Sequence, residues 1–297
     1  MMTAQPRLGF IGLGAMGRPM ALNLMKHGYQ MGVYARQPQS AAPLIAAGAA
    51  VYKTPAELAA ACEVVFTVVT ASSDFEQVAL DEYGIIHGAR AGSVVVDMET
   101  ISPLVVRRVA QALAARGIDM LDAPVSGGPM GAQSASLAIM VGGIPEVFER
   151  IKPLFECLGK TIVHMGDHGA GQVTKACNQL ALSVTAQGAA EALALARRCG
   201  LDPARVHEVL MGGFAASRVL DLFGKRMVER RFGPGIDARF YHKDVAIALE
   251  LAQDAGLPLP AAAIVKQQLN ALMGAGEGTA DFSVLIRVLE RAAGTQA

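Results

Sequence analysis

From Leu8 to about Val163, short apolar runs alternate with longer stretches in which apolar residues recur every three or four positions. Leu8–Gly12 reads as a buried strand. Gln30–Tyr34, Glu63–Val69, Ser93–Asp97, Asp119–Leu121, Ala138–Val141 and Lys160–His164 follow as further strands. Helical stretches at Arg18–His27, Pro55–Ala61 and Pro103–Arg116 lie between them. Strands without polar alternation, separated by helices, predict a mainly parallel sheet covered on both faces. After His164 the strand pattern stops. Gly171–Arg198 is one helical pattern, rich in Ala and Leu and apolar around much of its circumference. If continuous it runs about 42 Å, and such a helix suits the joining of two domains or two subunits. Asp202-Pro203 predicts an N-cap followed by proline at the first helical position. Helical patterns continue at Ser217–Arg230, Lys243–Ala255, Ala261–Met273 and Phe282–Ala292. The prediction is an α/β domain over 1–164 and an all-α domain over 165–297.

Composition narrows the functions open to such a chain. Apolar residues make up 52% of the 297 positions and charged residues 18%, enough for a large core and too little charge for a disordered chain. Lys and Arg number 26, as do Asp and Glu, so no overall positive charge drives nucleic-acid binding. Trp is absent and aromatics reach 5%, which leaves few stacking platforms for single strands. Cys62, Cys157, Cys177 and Cys199 lie far apart without C-x-x-C spacing or a His cluster. That argues against a metal site or disulfide framework and for a reducing, cytoplasmic home. The apolar stretch Leu8–Met16 is broken by glycines and preceded only by Arg7, unlike a signal peptide. Ala176–Ala190, interrupted by Asn178, Gln179 and Gln187, is too short and polar to span a membrane.

Three segments carry candidate chemistry. Gly12-Leu13-Gly14-Ala15-Met16-Gly17 matches G-x-G-x-x-G between an apolar strand and a helix. Gly12 permits the tight turn, Gly14 a close approach of backbone to pyrophosphate, and Gly17 close packing of helix on strand. The helix N-terminus adds free N–H groups and partial positive charge. This context favours a dinucleotide over an ordinary glycine-rich turn. The next strand ends at Tyr34-Ala35-Arg36, where an NAD site usually places an acid, and residues 1–56 contain no Asp or Glu. Arg36 therefore reads as a 2′-phosphate ligand or as a solvated surface residue, and the acid-free segment favours NADP(H) with NAD(H) still possible.

Asp122-Ala-Pro-Val-Ser126-Gly127-Gly128 follows a strand. Its small residues read equally as an anion cradle of N–H groups with a serine hydroxyl, or as an unliganded turn. Lys175, Asn178 and Gln179 share one face of the long helix. Lys175 sits among Val173, Ala176 and Leu180. There it is either a buried lysine whose lowered pKa suits proton transfer, or a helix-start lysine reaching solvent.

Gly9–Gly17, Asp122–Gly128, Gly169–Lys175 with Asn178, and Lys243-Asp244 occur in that order along nearly the whole chain. In them the sequence resembles the β-hydroxyacid (3-hydroxyisobutyrate dehydrogenase-like) family. The resemblance implies a Rossmann domain, an all-α domain, an active site in the cleft between them, and a homodimer or homotetramer built through the helices. It implies Lys175 as general acid/base. It also implies Ser126, Gly127 and Gly128 as holders of a substrate carboxylate, with Asn178 nearby, and Val69, Thr70, Thr100 and Lys243 along the cofactor. Where the family usually has Asp-Met-Ser-Thr, this chain has Asp97-Met98-Glu99-Thr100; Ala135 replaces a usual glycine, and Thr70 a frequent proline. A carboxylate at 99 is expected to repel an anionic substrate or to pair with a cation, which brings in amino-bearing substrates.

The expected activity is NADP-preferring interconversion of a small β-hydroxy carboxylate and its carbonyl form, with tartronate semialdehyde and glycerate as the preferred pair. The rivals are a related reductase acting on another hydroxy acid or an imine, and a nucleotide-binding scaffold without turnover. The presence of Lys175 argues against the scaffold.

Overall fold

The computed structural model describes residues 5–233 and 235–294. The chain divides into two compact units between Lys175 and Ala176.

The first unit is a Rossmann-type sheet layered by helices. Its elements, in chain order, are β1 (Leu8–Ile11), α1 (Gly17–Lys26), β2 (Met31–Tyr34), α2 (Ala42–Ala46), β3 (Ala50–Val51), α3 (Pro55–Ala61), β4 (Val64–Thr67), α4 (Ser72–Leu80), β5 (Val94–Asp97), α5 (Pro103–Ala114) and β6 (Asp119–Asp122). There follow β7 (Val125–Ser126), α6 (Gly128–Gln133), β8 (Leu137–Gly143), α7 (Pro145–Glu156) and β9 (Gly159–Gly166). Strand order is β3-β2-β1-β4-β5-β6-β8-β7, with β9 also on β8. The first six strands in that order are parallel, while β8 runs antiparallel to β6 and β7. The expected sheet is therefore mainly parallel, with the antiparallel turn-back at β8.

Why the strands read as unbroken apolar runs is visible in β4 and β5. Val64, Phe66, Val94 and Val96 enter the core on one face, Val65 and Val95 the core on the other. A strand with helices on both faces has no solvent side to place polar residues on. α3 has the predicted bounds because Thr54 caps it, accepting the Glu57 N–H at 3.0 Å ahead of Pro55. The short β3 and β7 and the helices α2, α4, α6 and α7 are additions to the predicted set.

α8 (Ala170–Arg198) begins in the first unit and continues through the second. The division into compact units thus lies inside this helix, a little beyond the expected boundary at 164/165. The first turn of α8 is hydrogen-bonded to the end of β6, as described below, and so belongs with the first unit.

The second unit is helical, with α9 (Pro203–Met211), α10 (Lys225–Val228), α11 (Ala238–Asp254), α12 (Pro260–Gly274) and α13 (Ile286–Ala292). Asp202 caps α9 as expected, accepting the Ala204 N–H at 2.9 Å. The predicted helix Ser217–Arg230 instead contains a π turn at Leu220–Gly224 before α10. There the Leu220 carbonyl is engaged by His207 at 3.0 Å, which accompanies the widened turn. The predicted Phe282–Ala292 helix opens as a 3₁₀ turn because Asp281 takes the Ser283 N–H at 3.0 Å. α11 starts at Ala238, earlier than the predicted Lys243. Its core is centred on Tyr241 stacked on Phe282, with Phe223 edge-on to both.

Candidate active site

The turn after β1 is built by the absence of side chains. Gly12 has φ +94°, and a Cβ there would collide with the Val68 backbone. A Cβ on Gly17 would strike the Gly12 carbonyl and the Phe10 ring, while one on Gly14 would meet nothing within 4 Å. Strand and helix therefore close at Gly12 and Gly17, leaving open space over Gly14. That space belongs to a cavity of about 720 Å³ at the carboxyl ends of β1, β2 and β4. α1 faces it with no acidic residue in the first turn and no side-chain cap on its N-terminus. The Arg18 side chain lines it with a buried Nε that has no hydrogen-bond partner among the described residues. Open backbone over Gly14, an uncapped helix N-terminus and an orphaned guanidinium N–H fit the pyrophosphate of a dinucleotide.

Of the sequence-predicted cofactor residues, Gly12, Leu13, Gly14, Arg36, Val69 and Thr70 line the cavity. Ala15 and Met16 complete the turn, with Gly17 buried beneath it. Thr100 is half-buried after β5 and outside the cavity lining. Lys243 lies in the second unit, where its ammonium pairs with Asp244 at 2.9 Å. Asp244 also accepts from the Gln179 amide at 2.6 Å, and Gln179 accepts from Asn178 at 2.8 Å. Arg36 is exposed and meets Asp74 of α4 at 3.3 Å. Gln37 and Ser40, which the sequence did not single out, line the same end of the cavity.

Lys175 is buried, and its Nζ donates to the Val125 carbonyl at 2.8 Å. That bond sets the lysine beside Ser126, the first residue of the Ser126–Gly128 segment. Gly127 and Gly128 have φ of +136° and +61°, conformations that glycine adopts without strain. A buried ammonium with a carbonyl acceptor is the arrangement that burial of lysine requires, and it decides against a lysine reaching out to solvent.

Around the start of α8 lies a group that sequence reasoning passed over. Asp122, at the end of β6, accepts the N–H of Gly169 at 2.8 Å and of Gln172 at 3.0 Å. The Gln172 amide donates to Asp97 at 3.0 Å and to the Glu99 carbonyl at 2.8 Å, and accepts the Ile101 N–H at 3.1 Å. Burial, then the charge of Glu99 and a side-chain hydrogen bond to it, then Asp122, hold the Asp97 carboxyl well above the usual carboxylate range; Gln172 opposes them. Burial likewise raises Asp122, against the opposing N–H bonds from Gly169 and Gln172. The Glu99 side chain is buried too and accepts the Val69 N–H at 3.1 Å. It thus engages the backbone after β4 and stands against Asp97. Gln172 and Asp122 both lie within the motif runs, and their spacing from Lys175 along the helix was the available signal for Gln172.

Two family models match the chain. The NAD binding domain of 6-phosphogluconate dehydrogenase matches residues 7–166, and the NAD-binding domain of NADP-dependent 3-hydroxyisobutyrate dehydrogenase matches 169–289. The chain is 42% identical to a 2-hydroxy-3-oxopropionate reductase of Escherichia coli, over 96% of this chain and 97% of the relative. It is 34% identical to an NAD-dependent L-serine dehydrogenase of Pseudomonas aeruginosa, over 96% and 98% respectively. A solved structure of a 3-hydroxyisobutyrate dehydrogenase of Mycobacterium tuberculosis with L-serine superposes with a TM-score of 0.88 at 30% identity, covering 96% of this chain and 99% of that one.

Proposed function

Since the chain belongs to the 3-hydroxyisobutyrate dehydrogenase-like family of NAD(P)-dependent oxidoreductases, we propose that it reduces tartronate semialdehyde to glycerate, with NADPH preferred over NADH and Lys175 as the proton donor. The observation that carries the reading is the buried Lys175 ammonium held on the Val125 carbonyl, directly beside Ser126. The nicotinamide, when bound, supplies the hydride chemistry. The chain's own residues do the rest. The Ser126 hydroxyl and the Gly127–Gly128 backbone hold the substrate carboxylate, and Asn178, three residues along α8 from Lys175, is assigned to the substrate as well. With the carboxylate fixed, a carbonyl two carbons away comes to rest against Lys175, which gives its proton to the oxygen as negative charge develops there. Orientation of this kind removes much of the barrier to a reaction in solution. In the oxidative direction Lys175 takes the same proton back.

The preference for NADPH rests on Arg36, Gln37 and Ser40 at one end of the cavity and on a cavity-side α1 without acids. A second reading, oxidation of L-serine, is favoured by the serine dehydrogenase among the relatives and by the structure solved with L-serine. We place the enzyme in the cytoplasm, as a homodimer or homotetramer joined through its helical unit; light scattering on the purified protein reads the assembly directly.

The deciding experiment is a matched panel at one pH. Tartronate semialdehyde, methylmalonate semialdehyde, succinic semialdehyde and glyoxylate are reduced with NADPH and NADH; L-serine and 3-hydroxyisobutyrate are oxidised. The highest kcat/KM is expected for tartronate semialdehyde with NADPH. Fastest turnover of serine overturns the substrate and keeps the family. A tenfold preference for NADH, about 1.4 kcal/mol in transition-state binding, overturns the cofactor assignment.

A further inference from the structure

Gln172 is almost wholly inaccessible, with 1% of its surface exposed, on the first turn of α8. Burying an amide is unfavourable unless its donors and acceptor are all met. Here they are, by three groups at and just after the end of β5: the Asp97 carboxyl group, the Glu99 carbonyl and the Ile101 N–H. Its own backbone N–H goes to Asp122 on β6. A single residue thus ties the start of α8 to the ends of two neighbouring strands. The Asp122 side is equally confined, because a Cβ on Gly142 or on Gly171 would collide with Asp122 atoms. Net stabilisation from each such hydrogen bond is modest. What a fully satisfied buried network does add is rigidity and a single geometry. Three residues after Gln172, roughly one turn on, stands Lys175, with Nζ on the Val125 carbonyl.

We propose that Gln172, with Asp122, is the positioning device of the proton donor: it fixes the rotation and axial setting of the first turn of α8 so that the Lys175 ammonium reaches the reacting oxygen. The proposal rests on the reading of Lys175 as general acid/base. Gln172 touches neither the reacting atoms nor the dinucleotide cavity in this account; it acts through the lysine alone. A helix released from these anchors can turn or slide by a fraction of its pitch, and a misplacement of about 1 Å is enough to lose on the order of 10²-fold in rate.

The test is a double-mutant cycle on the full-length enzyme. Gln172→Met keeps length and volume and removes every side-chain hydrogen bond. It is expected to lower kcat by roughly 30- to 100-fold, with substrate KM and the Kd for NADPH, read by fluorescence titration, each within about a factor of two. In the Lys175→Ala background the same substitution is expected to cost no more than about a factor of two further. Unchanged kcat in a folded Gln172→Met enzyme overturns the proposal. So does an equal cost in both backgrounds, or a loss of NADPH affinity that parallels the loss of kcat. If Gln172→Met does not fold, Asp122→Asn enters the same cycle, since its amide has one acceptor atom for two N–H groups; about tenfold in kcat is expected, with the same non-additivity. Should Lys175→Ala turn over as fast as the wild type, the lysine reading itself falls, which is a different result from additivity.

Discussion

The glycine turn after β1 and the acid-rich cluster at the ends of β5 and β6 sit on the same edge of one sheet and are built in opposite ways. At the turn, the geometry comes from side chains that are missing: Gly12 and Gly17 close the backbone, and Gly14 leaves open space above it. At the cluster, the geometry comes from side chains that are costly to bury, Asp97, Glu99, Asp122, Gln172 and Lys175, held by one another and by backbone groups. The turn lies within six consecutive residues. The cluster gathers residues from β5, β6 and α8, as far apart as Asp97 and Gln172. On the proposed reading, one region accommodates a ligand by steric permission, and the other prepares a proton by confinement. Substitutions should therefore fail differently in the two.

The largest effect expected is in the cluster. Lys175→Ala should lose on the order of 10²-fold or more in turnover, the range for a general acid, while NADPH still binds. Gly17→Ala should give the reverse signature. A methyl group forced against the Gly12 carbonyl and the Phe10 ring has no flexible neighbour to displace. About 1–3 kcal/mol of stability should be lost to overpacking, with NADPH affinity falling as the turn opens. Thermal unfolding together with cofactor titration separates the two variants. A Lys175→Ala enzyme that loses NADPH binding, or a Gly17→Ala enzyme that keeps it, would erase the contrast.

The two regions also differ in how far they could be read from sequence. The turn was legible because strand, glycines and helix are contiguous, and the steric demand on each glycine is set by near neighbours. Lys175 was legible as a candidate from its apolar surroundings on the helix, but its acceptor, Val125, lies on a distant strand. The partners of Glu99 were out of reach of the sequence for a related reason. Its place in the chain suggested a charge that repels an anionic substrate or pairs with a cation, and the fold adds the Val69 N–H, on the loop after the neighbouring strand. Arg36 was singled out in a segment free of acids, yet the fold brings Asp74 to it from α4. Local motifs encode local geometry. Partners supplied across a sheet follow from strand order, which no single segment contains.

That neighbour of Arg36 yields a smaller and sharper prediction. Arg36→Ala should shrink the preference for NADPH over NADH by about tenfold, near 1.4 kcal/mol. Asp74→Asn should move it the other way, because the guanidinium no longer shares itself with a carboxylate that repels a 2′-phosphate. The pair is exposed and screened by salt, so the Asp74 effect should fade as ionic strength rises. Ratios of kcat/KM for the two cofactors, taken at low and high salt, measure both. An Asp74→Asn enzyme with an unaltered ratio at low salt would show that the carboxylate takes no part in the choice.

The smallest effect expected is in the cluster again, and its sign is unusual. Burial and the neighbouring Glu99 and Asp122 carboxyls raise Asp97 well above its ordinary value of 3.8. In the window between that value and the raised one, the folded protein binds a proton that the unfolded chain does not. Stability then falls as pH rises through the window, the reverse of a salt-bridged aspartate. Asp97→Asn removes the group that titrates and keeps its shape. Its amide oxygen can still accept from Gln172, and its N–H₂ can turn towards Glu99. The variant should therefore melt above the wild type at pH 8, with the gap closing as pH is lowered towards 4. A difference of about 1 kcal/mol corresponds to a few degrees for a chain of this size. Melting curves of both proteins across that range decide the matter. A gap independent of pH would mean that Asp97 keeps its charge in the folded state at no special cost, and that the cluster is no more strained electrostatically than the glycine turn.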